Sequence, residues 1–143
     1  MNYRMFIGSI VFVGLSSNTA LAQNTVGEVL DAGGKKLSKD EVVGAIVGGN
    51  ISGPTRTGGQ AQLNYKADGT FAGTIQSSQG KNGGMFGTWT VDDSGQACVE
   101  YTLTIFGSQQ GKTCSFFFRQ ADQYYVAETD DRGSLLMRRT IKK

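Results

Sequence analysis

From residue 50 to the end of the chain, apolar side chains recur at every second position, and the runs are separated by turns built largely on glycine. Alternation of that kind matches the pleat of a β-strand, whereas a helix repeats about every 3.6 residues. "ACVEYTLTIF" (97–106) is the clearest case: Val99, Tyr101, Leu103 and Ile105 share one face, and Cys98, Glu100, Thr102 and Thr104 share the other. "AQLNYKADGTFAGTIQ" (61–76) reads as a hairpin turning at Asp68-Gly69. "MFGTWTV" (85–91), "TCSFFFR" (113–119), "QYYVAET" (123–129) and "SLLMRRTI" (134–141) continue the pattern. A further strand is expected around "NISGPTRT", where Pro54 points to an edge or an irregular piece. Short loops between consecutive strands make an antiparallel meander, and a sheet with one polar face must bury the other. The expectation is a mainly β domain, a small meander barrel or strongly curved sheet with one short N-terminal helix.

The helix is read from "LSKDEVVGAIVGGN" (37–50). Ser38 can accept from the backbone three residues on while Glu41 reaches back, the capping-box arrangement. Val42, Val43, Ala45, Ile46 and Val47 supply an apolar face, and Gly48-Gly49 ends it. A helix this short is unstable alone and must pack on the sheet. Residues 23–37 are polar with a Gly-Gly pair and read as a flexible leader. Residues 1–22 read as a signal peptide. Arg4 is its positive start, "MFIGSIVFVGL" its apolar core, and Ala20 and Ala22 the small residues of a cleavage site after Ala22. A single domain over 38–143 is expected, periplasmic or secreted, with no transmembrane segment in the mature chain.

Composition narrows the chemistry. The chain has no histidine, so Ser–His–Asp and Cys–His arrangements and histidine-ligated metals are ruled out. Loss of Arg4 with the signal peptide leaves thirteen basic side chains against twelve acidic ones, which gives no reason to expect nucleic acid as a partner. No enzymatic activity, cofactor or metal site is expected.

Two cysteines in an exported chain are expected to pair. Cys98–Cys114 would close a loop of 16 residues and stabilise by about 3 kcal/mol on the chain-entropy account. A tight hairpin centred on Gln109 opposes this, because it sets Cys114 against Thr104, six residues or about 20 Å from Cys98. Pairing then requires a longer loop centred near Phe106, or a bulge; otherwise the thiols stay apart. The bond is the reading adopted.

Other short motifs have plain explanations. "GSQQGKT" (107–113) is one residue short of a phosphate-binding loop and runs into a β-stretch where that loop needs a helix. Asp92-Asp93 and Asp130-Asp131 precede turn glycines and read as turn formers. In Phe116-Phe117-Phe118 the middle ring must face away from its neighbours, so both faces of that strand carry aromatic area, and Tyr124-Tyr125 repeat the situation. The outer rings are covered by the helix or a loop, or else Phe117, Tyr124 and Tyr125 mark an interaction patch. Trp89 is read as core filler with its N–H on a backbone carbonyl, the alternative being a ligand cup lined by Trp89, Phe71 and Tyr101. The large inward residues look sufficient to fill a small barrel, which favours a plug.

Leu37, Ser38, Glu41, Gly48, Gly53, Asp68, Gly69, Phe71, Gly73, Gly87, Trp89, Cys98 and Cys114 together resemble a set of small exported bacterial proteins catalogued as a domain of unknown function. Gly87, Thr88, Trp89, Asp92, Gly95, Cys98, Cys114 and Gly133 resemble the periplasmic inhibitors of bacterial metalloproteases, small calycin-like barrels that thread a free N-terminal segment into the protease cleft. The expectation that follows is a non-enzymatic periplasmic binding or envelope-associated module, whose partner is an unidentified protein or a small apolar ligand. A protease-inhibitor role and an apolar-ligand carrier are the alternatives.

Overall fold

The computed structural model describes residues 24–143; the signal peptide expected over 1–22 and its cleavage point lie outside the described residues. The chain runs α1 (Val26–Asp31), β1 (Lys35–Lys36), α2 (Lys39–Ile46), then β2 (Asn50–Pro54), β3 (Gln60–Tyr65), β4 (Thr70–Gln76), β5 (Asn82–Val91), β6 (Ala97–Leu103), β7 (Gln109–Gln120), β8 (Gln123–Ala127) and β9 (Met137–Lys142). Each strand from β2 to β9 pairs antiparallel with the next, and β9 returns to β2, Ile51 opposite Ile141. The result is a closed eight-stranded barrel with β1 added outside it. Closure removes the exposed edges that an open meander would leave.

β7 explains how β1 finds a place. Its first half pairs with β6 as far as Ser115, and its second half, Phe116–Gln120, continues along β8. Past Ser115 the β6 side of β7 is free, and Lys35 and Lys36 take it opposite Arg119 and Phe118.

The structure corrects the flexible-leader expectation from Asn24 onward. Thr25 caps α1 by accepting from the Glu28 N–H at 3.3 Å, and the Glu28 carboxylate accepts from the Thr25 N–H at 3.0 Å. This is the same capping box as at Ser38 and Glu41, and "TVGE" carries its signature in the sequence. Val26 and Val29 are fully buried against Phe118, Tyr125 and Ala127 on the outer face of β7 and β8. The segment is tied down by main-chain bonds too: Val26 N–H donates to Ser134 at 3.0 Å and Gly27 N–H to Arg132 at 2.8 Å. A second helix therefore accompanies the expected one.

α2 closes one end of the barrel. Val42 and Ile46 join Leu37, Ile51, Phe117 and Val126 in a buried cluster, with Trp89, Tyr124 and Ile141 packed against it. At its first turn, the Lys35 ammonium and the Ser38 N–H together draw the Glu41 carboxyl down from 4.5 to about 2. A depressed carboxyl contributes stability that is present above its unfolded value and lost as pH falls through its folded one. Acid titration of the urea midpoint should therefore show a decline between pH 4.5 and about 2 that is absent in Glu41→Gln. The decline should be shallow, because the group is exposed and screened.

Candidate functional site

The β6–β7 turn settles the cysteine question. It is centred on Phe106, not Gln109, so Leu103 pairs with Gln109 and Cys98 falls directly opposite Cys114. Their Cα atoms are 4.0 Å apart and the sulfurs are joined. The "GSQQGKT" segment is mostly strand, and Lys112 lies mid-strand opposite Glu100. The disulfide sits on the outer face, in line with Glu100 and Thr102, so it stiffens the wall without entering the interior.

Inside, the barrel is a plug at one end and a cup at the other. At the α2 end, Phe71 is 2% exposed; Tyr65 stacks on it with ring centroids 5.4 Å apart and meets Trp89 edge-on at 6.2 Å. The indole N–H of Trp89 donates to the carbonyls of Lys66 at 2.9 Å and Thr70 at 3.1 Å. Above this aromatic floor a cavity of about 370 Å³ opens toward the far end of the barrel, between Leu63, Ile75, Val99, Tyr101, Leu103 and Met137. Its size falls at the low end of the roughly 300–1,000 Å³ typical of small-molecule pockets.

The space exists because the large inward residues are interleaved with small ones. Ala61, Ala97, Thr113 and Ser115 border the cavity at positions that a packed interior would give to Leu or Ile. At Gly73 and Gly87 a Cβ would run into the main-chain oxygens of Gln62 and Glu100 on the neighbouring strands, so the wall coils tightly at both points. At Gly111 a Cβ would lie 2.5 Å from the Tyr101 ring, so the glycine makes room for that ring against β7. Counting large residues alone favoured a filled barrel; the interleaved small ones leave half of it hollow.

Of the three lining candidates, only Tyr101 borders the cavity; Phe71 and Trp89 lie behind Tyr65, the aromatic that faces it from below. The exposed-patch alternative is corrected at two of its three residues. Phe117 points inward and is 7% exposed, and Tyr125 is 5% exposed beneath α1. Tyr124 points toward the α2 end, its ring under the Arg119 guanidinium at 5.3 Å, beside an open groove that Lys35, Glu41 and Lys143 also border. The acidic turns are occupied locally: Asp92 accepts from the Ser94 N–H, the Ser94 hydroxyl and the Gln96 N–H, and Asp93 pairs with Lys39 at 3.1 Å. No cluster of three or more metal-ligating side chains occurs among the described residues, and no described helix is long and apolar enough to cross a membrane.

Among the polar residues that border the cavity, Tyr65 and Arg139 were not named as site candidates from the sequence. Tyr65 presents its phenol there, and burial pushes it up to about 12, against the pull of the nearby Arg139 charge. Arg139 belongs to the basic "MRRTIKK" end, which would ordinarily be read as a solvated tail. The strand alternation holds the clue: in "MRRTI", Arg139 stands between Met137 and Ile141 on the inward face, and Arg138 points out. Burial lowers the Arg139 guanidinium from its ordinary value, yet a guanidinium keeps its charge in proteins. Comparison with family models, with curated proteins and with solved structures found no match.

Proposed function

We propose that this is an exported, non-enzymatic binding module that takes a small apolar or amphipathic molecule into the open half of its barrel. The observation that carries this reading is the cavity of about 370 Å³, walled mainly by aliphatic and aromatic side chains and closed below by Tyr65, Phe71 and Trp89. Apolar walls favour a ligand that leaves water, and a few polar groups suffice to orient it. The absence of histidine from the chain supports a binding role over hydrolysis. The signal-peptide pattern read from residues 1–22 supports a periplasmic or extracellular setting, and so does the resemblance to calycin-like exported proteins read from the sequence.

The inhibitor reading ranks below this one. Threading requires a free arm, and Asn24 to Leu37 are engaged by α1, β1 and main-chain bonds to Arg132, Ser134, Leu136 and Phe117.

A titration with the neutral, apolar fluorophore N-phenylnaphthylamine should give a saturable rise in emission at one site per chain. Ala61 borders the cavity, and Ala61→Phe should remove that rise while the far-ultraviolet dichroism stays β-type. An unsaturable response, or one that Ala61→Phe leaves intact, would overturn the cup.

A further inference from the structure

We propose that the barrel selects an apolar molecule ending in a single carboxylate, and that Arg139 is the residue that holds that group. The inference rests on the interior being a binding site and adds the chemical class of its occupant.

Arg139 is an unusual choice for the wall of an apolar cup. Its Nη1 donates to the Pro54 carbonyl at 3.0 Å and to its neighbour Arg138's carbonyl at 2.9 Å. The bond to Pro54 staples β2 to β9 where their ladder runs out after Ser52 and Thr140. Stapling uses one nitrogen of the fork. A neutral glutamine amide could do the same without bringing a charge out of water, which is costly unless the charge is paired. Among the described residues Arg139 takes part in no ion pair. Gly53 lets both the β9 backbone and this side chain come close: a Cβ there would lie 2.5 Å from the Arg138 carbonyl oxygen, 2.8 Å from the Arg139 Nη1 and 3.2 Å from its Cδ.

The surroundings have the matching sign. Tyr65, protonated at any physiological pH, borders the same space and can donate. Arg56, at the mouth, adds a second positive charge whose field reaches Arg139. Arg56 itself pairs with Glu128, outside the cavity lining. No carboxylate is among the residues that border the cavity. A guanidinium with one edge engaged still offers Nε and Nη2, the pair that fits the two oxygens of a carboxylate. The apolar remainder of such a molecule would lie against Leu63, Val99 and Leu103.

The test compares octanoate with octanol, which share a chain and differ at the head, by displacement of N-phenylnaphthylamine and by calorimetry. The wild-type protein should bind octanoate about ten- to a hundredfold more tightly, the range for a charge-assisted bond made out of water. Arg139→Gln should abolish that preference and leave octanol within about threefold, a difference well under one such bond. Since the substitution also touches the β2–β9 staple, Arg139→Lys serves as a second variant, keeping the charge, losing the fork and retaining part of the preference. The wild-type comparison stands even where a variant fails to fold. Equal binding of the two ligands would overturn the carboxylate assignment and leave the cup intact. Binding of neither, with no saturable response to the neutral dye, would overturn the binding-site reading beneath it.

Discussion

Phe118→Ala should cost about 3–5 kcal/mol, the range for emptying a buried aromatic site, and should release α1 from the barrel. Phe118 faces outward from β7 and is 1% exposed, because Val26 and Val29 of α1 close over it together with Tyr125 and Ala127. A helix of six residues lies far below the length at which a helix holds in water, so its capping box cannot sustain it without that contact. The loss should appear as a shift of the urea midpoint, and hydrogen exchange at Val29 and Ala32, whose amides donate within α1, should speed up far more than at Met85 or Val99 in the barrel. A cost below about 1 kcal/mol, the scale of an ordinary surface change, with unchanged exchange would show that α1 is not anchored there.

Reduction of Cys98–Cys114, or replacement of both by serine, should remove about 3 kcal/mol and lower Tm by roughly 10–15 °C. The bond closes a separation of 16 residues across the β6–β7 hairpin, so its main effect is on the freedom of the unfolded chain. It lies outside the wall, away from the cavity lining. Reduced protein that remains folded at low temperature should therefore bind N-phenylnaphthylamine with unaltered affinity. A stability loss accompanied by loss of the cavity's ligand would mean instead that the bond sets the curvature of the wall. Differential scanning calorimetry in the presence and absence of reductant, with the dye titration repeated, separates the two.

Short-range patterning made much of this fold legible. Alternation marked the inward row Val99, Tyr101, Leu103 and the outward row Cys98, Glu100, Thr102; "LSKDE" marked the start of α2; and the lone tryptophan, half-buried, has the carbonyl-bound N–H expected of it. Each follows from contacts within a few residues of chain. Two misses were legible as well: "TVGE" states the α1 capping box as plainly as "SKDE" states that of α2, and the second residue of "RRT" falls on the apolar side of its strand.

Other features could not be read from one strand at a time. Whether the turn after β6 is centred on Phe106 or Gln109 decides the disulfide, and that register shows only in the pairing of β6 with β7. Whether Tyr125 is a patch or a core residue depends on α1, which precedes it by nearly a hundred positions in the chain. By itself the sequence determined a mainly β chain with a capped α2 and no imidazole chemistry, because alternation, caps and composition are local properties. Only the tertiary structure decided the closure of the barrel, the half-empty interior and the placing of Arg139 beside it. Volume and charge at the centre of a barrel are summed over eight strands, and no single strand carries that sum.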